Sequence, residues 1–147
     1  MDYFFLSRSD EESGKSPLLV VLDESTGEKY ARIVPYKGAT DLDWLVKDLS
    51  LELRAWGHAG GEGGHILLKS DGENSIVALR NALAKYHGGK VVQEQPARGE
   101  SASNGAVEEA GKTVREQALL MKEVLEHYAQ ISLKDAPCVL HWLIRWA

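Results

Sequence analysis

The chain of 147 residues contains one cysteine, Cys138, so neither an internal disulfide nor a multi-cysteine zinc knuckle can brace it. No apolar run approaches the roughly 18 to 20 residues that cross a bilayer. Residues 1–16 lack the basic start and small-residue cleavage site of a signal peptide, so the expectation is a soluble, non-secreted protein, nuclear or cytoplasmic. Excess positive charge is missing too. Lys and Arg number 17 against 22 Asp and Glu, a net charge of −5, which argues against gripping nucleic acid by bulk charge. A carboxylate cluster that binds divalent cations would itself make a sequence acidic, so a local contact stays open. No internal repeat is present. Gly14-Lys15-Ser16 lacks the glycine that a phosphate-binding loop requires five residues earlier, where Ser9 stands, and the glycine run 57–64 has neither the lysine nor the dinucleotide spacing.

What remains is an ordinary globular balance, 44% hydrophobic and 27% charged, at a length suited to one domain with a proper core. Ser7–Lys15 is polar throughout and reads as an exposed loop. Tyr3–Leu6, the apolar run Leu18–Leu22 and Tyr30–Val34, the last two separated by a Thr26-Gly27 turn, read as three adjacent antiparallel strands. Thr40 and Asp43 form a capping pair for a helix whose stripe is Leu42, Leu45, Leu49, Leu53 and Trp56. His65–Lys69 reads as a buried strand ending in Ser70-Asp71-Gly72. Ile76, Leu79, Leu83 and Tyr86 mark a second helix closed by Gly88-Gly89. A short strand at Lys90–Val92 leads into a loop, Gln93–Ser103, with Pro96 and Gly99. Val107, Val114, Ala118, Met121, Leu125 and Tyr128 carry a long helix over about residues 104–130, and Pro137 falls early in a last apolar helix reaching Trp146. That order predicts an α/β fold: a central sheet with an antiparallel meander at one side, parallel strands after it, and helices on its faces. Trp44, Trp56, Trp142 and Trp146 read as core or interface anchors. His65, His87 and His141 read as surface or satisfied core residues rather than ligands.

Three acids stand where chemistry could sit. Asp71 lies at the carboxyl end of a strand, before a glycine, where a side chain can point into a crevice beside the sheet. Asp2 opens the first strand, and Glu108 lies in the first two turns of the long helix. Gathering like charges from three elements makes sense around a cation. Lys112 and Arg115 follow Glu108 at i+4 and i+7, so all three project from one face, where cations could hold phosphates without making the whole protein basic. Glu109 points about 100° away. By itself an Asp-Gly after a strand is an ordinary turn, and the trio on the helix an ordinary solvated face with one ion pair.

The segments Asp2-Tyr3-Phe4-Phe5-Leu6, Lys69-Ser70-Asp71-Gly72-Glu73 and Gly99 to Glu108 resemble the catalytic core of retroelement integrases, the retroviral-like members of the DDE superfamily. That family carries two aspartates and a glutamate at a characteristic separation, matched here by 36 residues between Asp71 and Glu108. The resemblance covers nearly the whole chain, residues 1–147, as one domain. It implies a ribonuclease H-like mixed five-stranded sheet flanked by helices, and a polynucleotidyl transferase that processes DNA 3′ ends and joins them to target DNA. Two Mg²⁺ or Mn²⁺ ions, about 3.5 to 4 Å apart, would be held by Asp2 as bridge, Asp71 on one ion and Glu108 on the other. Asn104, Lys112 and Arg115 match positions that contact the DNA end, and Gln95–Ser103 would be a flexible flap over the site. Homo-oligomers are implied and membranes are not. The family's histidine- and cysteine-rich metal-binding domain and its basic carboxyl-terminal domain are absent, half of the expected first strand is missing, and the last helix stops early, so the chain reads as a core fragment truncated at both ends, or as a decayed copy. Two alternatives remain: a catalytically inactive remnant serving as an interaction or dimerisation module, with an apolar last helix to expose, and an insertion-sequence transposase using the same acids.

Overall fold

The computed structural model describes residues 1–14, 16–38, 42–61, 64–94, 105–133 and 137–147. Their order is β1 (Asp2–Phe4), α1 (Arg8–Ser13), β2 (Leu18–Leu22), β3 (Lys29–Ile33), α2 (Asp43–Ala55), β4 (His65–Lys69), α3 (Asn74–His87), β5 (Lys90–Glu94), α4 (Gly105–Ala129) and α5 (Pro137–Trp146). This is a mixed α/β chain with two small sheets. β1, β2 and β3 form an antiparallel meander, with Asp2 opposite Val20 and Leu18 opposite Ile33. β4 and β5 form a parallel pair, His65 opposite Lys90. The single five-stranded sheet expected from sequence is thus not formed: β1 pairs over only three residues, too few to carry a ladder across to β4. Among the described residues the Met1 amine spans the gap, donating to Lys69 O at 2.8 Å, and Lys69 Nζ pairs with Glu24 of the β2–β3 turn at 3.7 Å.

Burial explains the layers. Leu18 to Val21 are all buried because side chains alternate across a sheet covered on both faces. Met1, Tyr3, Leu19, Val21 and Tyr30 point to one side, into a core with the leucine stripe of α2 and with Ile76, Leu79 and Leu83 of α3. Leu18, Val20, Ala31 and Ile33 point to the other, against Val107, Ala110, Val114 and Ala118 of α4 and Ile144 of α5. α2 is tied to β3 by a polar clamp: Asp48 accepts from the Tyr30 hydroxyl at 2.9 Å and from Arg32 Nε at 3.0 Å. The Arg32 guanidinium also lies 4.9 Å over the Tyr30 ring. Burial, with the Asp48 carboxylate beside it, raises the Tyr30 hydroxyl above its ordinary range.

Several local readings need correction. Ser7–Lys15 is not simply a loop: residues 8–13 form α1, capped by the Ser7 hydroxyl, which accepts from Asp10 N, and closed by Gly14 in the left-handed region at φ 63°. β4 is not buried, since only Leu68 is, and Leu67 is 52% exposed. β5 runs to Glu94, two residues past the expected end. The N-cap of α2 is Leu42, with no side-chain cap bond; Thr40 lies outside the described residues. Gln95–Ser103 and Asn104 lie outside them as well. Trp56 packs against the core, whereas Trp44, Trp142 and Trp146 are exposed.

Candidate functional site

The Met1 to Lys69 contact brings the start of β1 against the end of β4, and with it Asp2 beside the turn that carries Asp71. Ser70-Asp71-Gly72-Glu73 turns the chain from β4 into α3, with Asp71 Oδ1 accepting from Glu73 N at 3.2 Å. Asp2 Oδ1 accepts from Tyr3 N at 2.7 Å. Burial raises the Asp2 carboxyl above its ordinary range, and the Asp71 and Glu73 charges push the same way against that hydrogen bond. Glu73 was not singled out from sequence. Lys37 Nζ reaches its two oxygens at 2.8 and 3.1 Å, and Ser75 Oγ donates to it at 2.6 Å. Burial opposes ionisation there, but the bonds from Lys37 and Ser75 outweigh it and hold Glu73 below the usual carboxylate range. Its only sequence signal was its place two residues after Asp71; the partner Lys37 is 36 positions away and is brought in by the meander.

Glu108 arrives from the other side. α4 crosses β1 where Gly111 meets Phe4: a β-carbon at Gly111 would lie 2.5 Å from the Phe4 ring, so only glycine lets helix and strand approach this closely. Asp2 and Phe4 alternate with Tyr3 and therefore share the face of β1 that α4 covers. Beside the crossing is an open groove of about 410 Å³, lined by Tyr3, Phe5, Lys37, Glu108, Lys112 and Arg115 among others. The one-face spacing expected of Glu108, Lys112 and Arg115 is therefore met. All three are exposed, and no ion pair joins them among the described residues. The structure thus brings Asp2 to Asp71 and leaves Glu108 in the neighbouring groove. Among the described residues, no three His, Cys, Asp or Glu side chains are placed to hold one metal ion. The Asp2 and Asp71 oxygens are hard donors of the kind Mg²⁺ takes as one or two carboxylates; a two-ion centre needs Glu108 as well.

Behind the two aspartates lies a second group that sequence reading missed. Arg80 of α3 is 3% exposed. Its Nη1 donates to Ser70 Oγ at 3.2 Å and to Glu94 O at 3.0 Å, tying the last residue before Asp71 to the end of β5. Its Nε has no hydrogen-bond partner. Arg80 lies four residues after Ile76, on the apolar stripe, and a charge on that stripe was the available signal.

The other singled-out features are structural. Gly60 packs on the end of α3, where a β-carbon would meet His87 O, and Gly64 packs on Ala59 O. His65 and His141 are exposed. His87 is buried, with Nδ1 2.8 Å from Ser50 Oγ and Nε2 without a partner. Among the described residues, no helix is long and apolar enough to cross a membrane. No protein-family model matches this chain, and no curated protein matches it significantly.

Proposed function

We propose that this chain is the catalytic core of a divalent-metal-dependent polynucleotidyl transferase of the retroelement integrase type, built for DNA 3′-end processing and strand transfer. The observation that carries the reading is the Met1 to Lys69 bond, which sets the half-buried Asp2 at the start of β1 beside the turn that carries Asp71, where a cation would offset the burial of its carboxylate. The fold supports it. With the Met1 to Lys69 bond taken as a seam, the strands read β3-β2-β1-β4-β5, a meander continued by a parallel pair with helices on both faces. That is the arrangement a ribonuclease H-like sheet requires.

In this reading Asp2 and Asp71 would hold a Mg²⁺ or Mn²⁺ ion, with Glu108 of α4 the third carboxylate of a two-ion centre. Such ions would supply activation of a water or 3′-hydroxyl nucleophile and stabilisation of the departing oxygen. Lys112 and Arg115 hold DNA phosphates in the groove beside β1. Arg80 keeps the ends of β4 and β5 together beneath Asp71. The test is Mn²⁺-dependent nicking of a duplex that mimics a DNA end: Asp71→Asn abolishes it, and unchanged nicking removes Asp71 from the site.

A second reading draws on a specific observation, the separation of Glu108 from the aspartates together with the exposed rings of α5. Trp142 and Trp146 are 57% and 68% exposed, and their centroids are 6.1 Å apart. An inactive remnant that pairs through α5 accounts for both. Melting with added Mn²⁺ separates the two. A preformed site raises the melting temperature by mass action, while a flat response with a dimer in sedimentation favours the remnant.

A further inference from the structure

α4 is longer than the core it covers. Its buried residues are Val107, Ala110, Gly111, Val114 and Ala118, and none from Leu119 to Ala129 is buried, a stretch of about 16 Å. Much of that stretch is nonetheless large and apolar: Leu119, Leu120, Met121, Val124, Leu125 and Tyr128. Met121 and Leu125 are half-buried, whereas Leu120, Val124 and Tyr128 are 61%, 45% and 82% exposed. At i, i+4 and i+8 these three form one row along the helix. A scattered exposed leucine is ordinary, but a contiguous apolar row marks a surface that meets another. The turns beneath the row hold their shape by local polar bonds. Lys122 Nζ pairs with Glu126 at 3.2 Å, Glu126 Oε1 accepts from Leu133 N at 2.7 Å, and Gln130 Nε2 donates to His127 O at 2.6 Å. The ridge is therefore preformed, which lowers the cost of binding to it.

Charge decides what the ridge fits. Glu116 and Glu123, seven residues apart and both exposed, run along one edge of the row. Met121 and Leu125 form the other edge, toward the buried side that carries Ala118. Among the described residues no ion pair engages either glutamate. A second copy laid antiparallel on this ridge would set glutamate against glutamate, and one laid parallel would set the glutamates against Met121 and Leu125. Neither supplies a counter-charge.

We propose that the carboxyl-terminal half of α4 docks an amphipathic helix of a partner protein, about three turns long, apolar on one face and carrying lysine or arginine along the edge that meets Glu116 and Glu123. Apolar burial supplies the affinity; the charged edge sets the orientation and excludes acidic helices. Glu108, Lys112 and Arg115 lie on the earlier turns and stay uncovered, so the docking does not rest on the reading of the acids.

Three synthetic helices test it: one with lysine flanks, one with glutamate flanks on the same apolar face, and a scramble of the lysine-flanked sequence. In fluorescence anisotropy with the full chain, the lysine-flanked helix binds about tenfold or more tighter than the other two. Glu116→Lys with Glu123→Lys reverses the preference toward the glutamate-flanked helix. Leu120→Ser with Val124→Ser removes binding while helical circular dichroism is kept. No binding by the lysine-flanked helix overturns the proposal. Equal binding of the scramble does too, because it leaves only bulk attraction to a chain of net charge −5. So does a preference unchanged by the charge reversal. A dimer in sedimentation that the two serine substitutions dissolve also overturns it, by giving the ridge to a second copy.

Discussion

Replacing Gly111 by alanine tests the crossing on which the groove depends. In a helix interior, glycine to alanine normally stabilises by roughly 0.5 to 1 kcal/mol. At this position the new methyl lies 2.5 Å from Cε2 and Cζ of Phe4, so either the ring swings away or α4 lifts off β1. Overpacking of this kind costs about 1 to 3 kcal/mol. Phe4 is only partly buried, so the ring yields before the backbone, which favours the lower half of that range. The net expectation is a loss of up to roughly 1.5 kcal/mol. In a Phe4→Ala background the obstacle is gone, and the same exchange is expected to stabilise by about 0.5 to 1 kcal/mol. The sign reversal is the signature, a coupling of about 1 to 2 kcal/mol between the two positions. Urea unfolding followed by far-ultraviolet circular dichroism reads it as opposite shifts of midpoint at constant slope. If Gly111→Ala stabilises both backgrounds equally, α4 does not lie on Phe4, and the placement of Glu108, Lys112 and Arg115 beside β1 is refuted.

Asp2→Asn is expected to stabilise the fold at neutral pH while keeping the bond from Tyr3 N. The raised Asp2 carboxyl favours the protonated fold, so its contribution to stability is fully present below the ordinary aspartate range and is lost as pH rises through the folded value. Asn removes that slope, which unfolding free energies between about pH 3 and pH 7 measure; an unaltered slope would assign it to other carboxylates. Arg80→Met removes the donor to Ser70 Oγ and to the Glu94 carbonyl and costs roughly 1 to 3 kcal/mol, with faster amide exchange at β5 distinguishing it from uniform loosening. Ser50→Ala leaves His87 Nδ1 without its partner and costs about 1 to 3 kcal/mol in thermal unfolding. Burial, with Arg54 and His58 nearby, lowers the His87 imidazole. Stability is therefore complete above about 6.5 and falls as pH drops from there to the folded value, a loss that His87→Gln should remove.

Legibility in the sequence followed the strength of the local signal. Leu18–Leu22 and the three helices with apolar stripes were readable because burial imposes a pattern that residue types record, and His65–Lys69 because its apolar run favours a strand whatever covers it. α1 was not readable that way, since none of its residues is buried; its signal lay in Ser7 and Gly14, caps without a stripe between them. The burial of β4 was misjudged because composition states what a strand can bury, whereas cover depends on the neighbouring element, and β1 is too short to reach it. At the site, Asp2, Asp71 and the Glu108 face could be named from spacing. Glu73 with Lys37, and Arg80 with Ser70 and Glu94, could not, because their partners meet only after the sheets and α3 are assembled.

The clamp on β3 has a consequence for how the meander is assembled. Tyr30 and Arg32 reach Asp48 only while both point toward α2, and a slip of one residue along β2 would turn both to the opposite side. Such a shift would bury an aromatic hydroxyl and a guanidinium among the small side chains of α4 and strand a carboxylate on α2. An outermost strand, normally free to slide, is thereby keyed to a single alignment by three polar groups as well as by its hydrogen-bonded turn.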